Sequence, residues 1–385
     1  MQNQLLESQP KSTGWDLLIL DNLEESFLQK TAEFLQEFIR KDADPVWTVD
    51  YFKWKLGEQN PAGRGFLTCA VSEGRVVGAV SATVKRLWFN QQLVLGAEVG
   101  DTYTHPDFVR LRPARGETPD FLKQSIFGRL ATETRTRAMS RGIPIVYGTP
   151  NANARPGWEK RLGYKSHSSY DNRSFIRPTA RGLESRGAVF KLASLPIFAG
   201  ERTFKVLTHT FCEIQRFARG YKVEQMQEST EELDKLWNRL KGQHLFSLVR
   251  DRAYVQYRFF NHPLAKYKLF KISRHRRMEG FLVTRNLITP WGKRYCCLAD
   301  WWIDESKPFL FPILVSHAIH EQDPTRIDGF YLWCGPYRKL RKSLRQLGFL
   351  RGPESPVIFF QNAEGSGILE RCRDLDFTLA GSDNI

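Results

Sequence analysis

The feature that most limits what this chain can fold into is a repeat: its second half follows the pattern of its first. The stretch "DYFKWKLGEQNPAG" (50–63) is matched by "RAYVQYRFFNHPLA" (252–265). Tyr51, Lys55, Asn60 and Pro61 in the first copy correspond to Tyr254, Arg258, Asn261 and Pro263 in the second. Further on, "GAEVGDTYTHP" (96–106) lines up with "CCLADWWIDES" (296–306), setting Asp101 against Asp300. Then "WEKRLGYK" (158–165) lines up with "SLRQLGFL" (343–350). Matches in one order at a roughly constant offset mark a duplicated unit. A chain of 385 residues then divides into two domains of ordinary size.

Within the first copy the periodicities alternate. "WDLLILD" (15–21) reads as a strand, and 22–41 carries apolar residues at helical spacing. Residues 66–105 are rich in β-branched and aromatic types, with turn signals at Glu73-Gly74 and Asn90-Gln91, and predict a three-strand meander. A helix from about Pro119 to Arg141, a buried strand at 143–151, a short helix at 154–163 and a closing strand or hairpin follow. The fold class is therefore α/β: two domains in tandem, each a central mixed, largely antiparallel sheet flanked by helices. The expected boundaries are a tail at 1–14, a first domain at 15–178, a helical connector at 179–222 and a second domain at 223–385. In the connector, Pro196 and Gly200 predict a break into two helical pieces. Its basic, amphipathic character suits either packing onto the domains it joins or weak contact with a membrane surface.

The net charge of +15 points to anionic partners: nucleotides, phosphorylated sugars, RNA or anionic lipid. The charge is spread along the chain, which is equally the pattern of a soluble surface. No apolar run reaches the roughly 18 residues that span a bilayer. Six cysteines without a C-x-x-C pair predict reduced thiols and a cytoplasmic location. No metal-ligand spacing, Ser/His/Asp arrangement or Walker loop is present in the sequence, so no metal is expected.

"GTPNANARPGWEKRLGYK" (148–165) carries a resemblance. Asn151 at a strand end, Ala154, Trp158 and Leu162-Gly163-Tyr164 resemble the last segment of the GNAT superfamily of acyl-CoA-dependent N-acyltransferases. "DTYTHPDF" (101–108) is similar to the strand end before its cofactor loop, and "SIFGRLATETRTRAMSRGIPIVYG" (125–148) to its long helix and next strand. The resemblance covers about 15–178 well and 222–385 weakly; the ending "FTLAGSDNI" resembles uncharacterised bacterial members with two such domains.

The resemblance implies an acetyl-CoA or other acyl-CoA co-substrate, its pantetheine arm between two splayed strands and its diphosphate at the N-terminus of the long helix. Carried onto this sequence, the cofactor-binding positions are Tyr103, Thr104, Lys123, Gln124, Ser125, Ile126, Phe127, Asn151 and Trp158. Both glycines usual in the loop are replaced, as Lys123 and Ser125, and Arg110, Arg112 and Arg115 enter nearby. A rebuilt cradle of cations and a hydroxyl is one outcome; loss of the site is the other.

Amine acylation needs a base, for which Glu98 acting through water is the first candidate and Asp101 the second. Three residues apart on a strand, these two face one side only if a bulge intervenes at Gly100. Trp158 stands where, in the superfamily it resembles, a Tyr commonly protonates the thiolate, and an indole keeps its proton, so the acid role is vacant or falls to Tyr147, Tyr103 or water. His105 reads as structural. The second copy has Pro336 in place of Asn151, and is expected to wall an acceptor cleft rather than bind the cofactor. Its aromatic run, Trp301, Trp302, Tyr331 and Trp333, suits either stacking on a sugar or base, or burial in a core. The acceptor expected is a small-molecule or nucleotide-linked primary amine, such as an amino sugar of surface-polysaccharide synthesis. Two alternatives remain: a Fem-type transferase using aminoacyl-tRNA, and a degenerate, non-catalytic binding protein.

Overall fold

Two tight turns set the register of the first half. Glu73, Gly74, Asn90 and Gln91 all take positive φ, the geometry whose twist matches that of paired strands. The computed structural model of the chain describes residues 15–20, 23–38, 47–109, 125–166, 172–184, 188–289, 292–335, 338–355, 357–360 and 375–382. The first half contains β1 (Asp16–Leu20), α1 (Glu25–Phe38), α2 (Val49–Leu56), β2 (Phe66–Ser72), β3 (Arg75–Phe89), β4 (Gln92–Thr104), α3 (Ile126–Ser140), β5 (Ile145–Gly148), α4 (Arg155–Arg161), β6 (Tyr164–Lys165) and β7 (Arg173–Pro178). Helices α5 (Ala180–Glu184) and α6 (Ala188–Ala218) connect the halves. The second half contains β8 (Tyr221–Met226), α7 (Glu231–Leu240), β9 (Phe246–Leu248), α8 (Arg252–Val255), β10 (Tyr267–Arg274), β11 (Arg277–Ile288), β12 (Arg294–Ile303), α9 (Leu310–His320), β13 (Gly329–Cys334), α10 (Arg338–Gln346), β14 (Leu350–Glu354), β15 (Ile358–Phe360) and β16 (Leu375–Asp376).

The duplication is visible in local physics. Thr48 caps α2 by accepting from the Tyr51 amide, and Asp251 caps α8 by accepting from the Tyr254 amide. After α4 and α10, Gly163 and Gly348 take φ of +75° and +83°, the left-handed turn that commonly ends a helix. Each sheet has a parallel pair at its centre: β4 with β5, and β12 with β13.

The strands do not divide at the expected domain boundaries. One sheet runs β1-β2-β3-β4-β5-β15-β6, with β9 alongside β3 and β16 on β9; the other runs β14-β7-β13-β12-β11-β10-β8. Thus β7, from the first half, pairs with β13, while β15, from the second, inserts between β5 and β6. At the same place in its sheet each half accepts one antiparallel strand from the other, and the second half also lends β9 and β16 to the first sheet. Side chains reinforce the exchange: Arg86 makes a two-pronged contact with Asp251, and the Trp54 indole donates to the Tyr257 carbonyl.

Two other expectations need correcting, the start of α3 and the break in the connector. Helix α3 begins after Ser125, not near Pro119, because the Ser125 hydroxyl accepts from the Gly128 amide and closes the first turn. Residues 110–124, with Lys123, Gln124 and the three loop arginines, lie outside the described residues. The connector is not two pieces: α6 runs unbroken through Pro196 and Gly200 for 31 residues. Proline costs one backbone hydrogen bond there, which a helix of that length survives. Trp301 and Trp302 are buried in the cores on either side of the second sheet, with Tyr331 and Trp333 half-buried at the edge. Among the described residues no helix is long and apolar enough to cross a membrane.

Because β7 and β15 are exchanged, neither half holds a complete sheet alone. Residues 1–222 and 223–385, expressed separately, are expected to show no cooperative urea transition, whereas the full chain unfolds in a single one; circular dichroism reads both.

Candidate active site

The site forms where β4 and β5 diverge. They pair from Gly96–Ile145 to Val99–Gly148, and β4 then runs past the end of β5 to Thr104, still paired with β3. Just past the fork the register with β3 slips: Ala79 opposes Tyr103, while Ser81 opposes Gly100. One residue of β3 thus faces two of β4, a bulge, with Asp101 in the left-handed region at φ 46°. The bulge foreseen at Gly100 falls one residue later.

Its consequence for Asp101 is structural. Both carboxylate oxygens are taken up: Oδ1 accepts from the Trp47 indole at 2.9 Å, Oδ2 from Lys55 Nζ and Ser81 Oγ, each at 2.7 Å. Lys55 and Asp101 are both sealed from solvent. A carboxylate so occupied holds the bulge and is not placed to take a proton from substrate. The second copy repeats the device with a different cation. Asp300 lies at a matching register slip and is held by Arg250, not by Arg258, which the sequence alignment set against Lys55. Arg250 also meets Asp376 at 2.8 Å.

Glu98 stands inside the fork on β4, directly across from Tyr147 on β5 and Thr83 on β3. It is 2% exposed, and its Oε2 lies 3.3 Å from Lys85 Nζ. Ser81, Thr83 and Lys85 alternate along β3 and so share one sheet face. They form a buried polar row with Glu98 and Asp101, in a strand whose intervening Ala82 and Val84 are core residues. The Thr83 hydroxyl is buried with no hydrogen-bond partner among the described residues. Sequence reasoning missed Thr83 and Lys85, although their period-two spacing in an otherwise apolar strand was the signal.

The second half meets the fork at the neighbouring strand, β5. Tyr147 donates its hydroxyl to the Gly381 carbonyl at 3.3 Å, and its ring lies between Phe359 and Phe377. Thr149 donates to Ser382 Oγ, and Arg258, wholly buried, reaches the Ser382 carbonyl. Tyr147 is therefore at the fork but committed to holding the C-terminal segment.

The remaining candidates separate. Ser125, Ile126 and Phe127 open α3, where a helix offers amides without intrahelical partners. A Cβ on Gly78 would run into Ile126, and Gly78 pairs with Thr104, so the helix start sits against the end of β4. Tyr103 points elsewhere, its ring stacked on Phe38 at 5.2 Å. Trp158 is a core residue, edge-on to Phe127 and Tyr164 at 5.1 and 4.8 Å, so it packs beneath the helix start. Burial also pushes the Tyr164 phenol well above its usual range. Asn151 accepts from the Ala154 amide at 2.8 Å and starts α4. His105 accepts from the Asp107 amide, a turn-capping role.

A cavity of about 310 Å³ opens at the corresponding fork of the second half, where β12 and β13 cease to pair after Cys297–Tyr331. Its walls include Trp301, Trp302, Ile303 and Leu340, with Glu305, Asp376, Lys339 and His244 at the polar positions. The His244 ring lies 4.6 Å from that of Trp302, whose indole N–H has no partner among the described residues. Asp376 lines this cavity, and its neighbour Phe377 touches Tyr147, so one short segment joins the cavity wall to the Glu98 fork. No group of three or more His, Cys, Asp or Glu among the described residues gathers as metal ligands.

No family profile matches the chain, and no curated protein matches its sequence. Solved structures do match its fold. A GCN5-related N-acetyltransferase from Anabaena variabilis superposes with a TM-score of 0.55 at 12% identity, over 89% of this chain and 72% of that one. A probable N-acyltransferase from Enterococcus faecalis gives 0.56 at 10% identity, over 93% and 75%. Saccharomyces cerevisiae N-myristoyltransferase with bound myristoyl-CoA gives 0.54 at 11% identity, over 92% and 83%. The chain thus has the two-domain GNAT-like fold of N-acyltransferases.

Asp101→Asn leaves the Lys55 ammonium buried without its counter-charge. We expect a loss of about 3–5 kcal/mol in urea unfolding, because removing one partner of a buried pair exposes the full desolvation cost of the other.

Proposed function

We propose that the chain is an N-acyltransferase that moves an acyl group from acyl-CoA to a primary amine. The observation that carries this reading is the fork: parallel strands that diverge just beyond a buried glutamate, with a capped helix start set against the longer strand. The free edge of β4 beyond Val99 offers backbone groups to a pantetheine arm, as an added strand would. The start of α3 offers amides and the positive end of its dipole to a diphosphate. Ser125 supplies a hydroxyl where the superfamily's loop has glycine. The fold's likeness to acyl-CoA enzymes supports the donor class.

Glu98 is the base. The amine arrives as an ammonium ion, and one proton passes to Glu98, through water, before the nitrogen attacks the thioester carbonyl. The C–N bond forms and the C–S bond breaks. A second amine proton leaves for the departing thiolate, which gives the amide and free CoA. Lys85, an opposite charge at 3.3 Å, fixes the carboxylate in place. Most of the acceleration comes from holding amine and thioester in register, with the base adding about 10²–10⁴-fold.

The acceptor side belongs to the second half. Its cavity pairs aromatic walls with the carboxylate of Glu305, a combination suited to an ammonium group on an apolar or ring-shaped body, while Asp376 is held by Arg250. An amino sugar on a nucleotide carrier is the acceptor class favoured by the basic chain.

Glu98→Gln should lower turnover by about 10²-fold or more while the calorimetric Kd for CoA stays unchanged. Turnover at the wild-type level would remove Glu98 from the mechanism; a titration of the wild type with acetyl-CoA that shows no heat would remove the donor. Glu305→Gln should raise KM for the amine several-fold and leave both kcat and the CoA affinity alone. An unchanged KM would place the acceptor outside this cavity.

A further inference from the structure

Helix α6 is inside out. A helix on a protein surface ordinarily turns its apolar stripe to the core and its charges to water. From Thr203 to Ala218, the residues α6 leaves exposed are Thr203, Phe204, Val206, Leu207, Thr210, Phe211, Ile214, Phe217 and Ala218. None is charged, and Phe217 is 81% exposed. The charged residues of the same stretch are turned inward. Lys205 donates to the carbonyls of His320 and Gln322 at the end of α9, and Arg216 holds Glu213 and the Tyr221 carbonyl. His209 stacks on His320 at 3.9 Å, and Cys212 donates to the Pro312 carbonyl. These contacts fix the rotation of the helix about its axis, so the apolar face cannot roll inward without breaking them.

The surroundings of this face are basic. Helices α6 and α10 both pack against α9. On α10, Lys339, Lys342 and Arg345 are exposed, and the turn after it approaches α6, where a Cβ on Gly348 would lie 3.1 Å from the Phe204 ring. Leu350 and Arg351, both exposed, continue the surface along the edge strand β14. At the far end of the helix Arg219 is exposed too.

We propose that α6 is a membrane-surface anchor that seats its Phe204–Phe217 face among the acyl chains of an anionic bilayer, with the basic side of α10 and β14 against the headgroups. A bilayer fits because the exposed apolar face runs for about 24 Å from Thr203 to Ala218 and, among the described residues, offers two threonine hydroxyls for directed bonding. Lipid asks for no shape-matched partner, and interfacial helices combine such a face with flanking cations. A second copy of the chain fits less well, since pairing would bring together two bodies that each carry +15. The helix lies along the surface and does not cross it.

Co-sedimentation of the full chain with vesicles tests this. Binding to vesicles of phosphatidylcholine with phosphatidylglycerol should be at least about tenfold tighter than to phosphatidylcholine alone, and should weaken with salt. The double change Phe211→Glu with Phe217→Glu should abolish binding without lowering Tm, since both side chains are already in water. Lys342→Glu with Arg345→Glu should remove the preference for phosphatidylglycerol. No binding to either vesicle overturns the proposal. So does a wild type that scatters light as a dimer and becomes monomeric in the Phe211/Phe217 variant while ignoring vesicles, because that result gives the face to a second copy.

Discussion

The bulge at Asp101 is the constraint on which the site depends. A strand that stayed regular would continue its ladder with β3 and carry Glu98 and residue 101 on opposite faces. The extra residue turns β4 beyond the end of β5 and brings a carboxylate to the polar face, where it is neutralised by Lys55 and tied by Ser81 and Trp47. A non-glycine residue at φ 46° is costly unless its surroundings insist on it. Here three donors, one from α2, one from β3 and the Trp47 indole, supply that insistence. The second half uses the same slip at Asp300 and a different cation, so the duplicated unit has kept the constraint and changed the means of meeting it.

Around that constraint the two halves divide their labour. The first contributes the fork, the helix start and Glu98. The second contributes the C-terminal segment that contacts Tyr147 and Thr149, the buried Arg258, and a cavity with aromatic walls. The polar row on β3 and β4 is built from first-half residues alone, with Lys55, Trp47 and Ser81 on Asp101 and Lys85 on Glu98, while the second half meets the fork at Tyr147 and Thr149.

Much of this was legible in the chain. The repeat, the meander turns and the placement of Glu98 and Tyr147 on the central strands all follow from short local patterns. The strand exchange was not legible, for a physical reason. Strands β7 and β15 are each short and antiparallel to a central strand of the same type, so their sequences fit either sheet equally well. The partner of Asp300 was missed because the pattern aligned Arg258 with Lys55, whereas the cation that reaches Asp300 comes from the segment before α8. Pro196 and Gly200 misled because local propensity weighs little in a helix of this length. Tyr103, Trp158 and Asn151, expected from the resemblance to bind the cofactor, have contacts with the protein itself.

The loan of β15 also bears on how the chain is made. The strand that flanks β5 is encoded more than two hundred residues downstream of it. At roughly 5–20 residues per second, a ribosome leaves the first sheet open on that side for on the order of ten to forty seconds after β5 emerges. During that interval the edge of β5 is a hydrogen-bonding template in search of a partner. Completion of the first sheet therefore waits for synthesis to reach β15, and a nascent chain stalled before residue 358 would present a ready target for holdase chaperones.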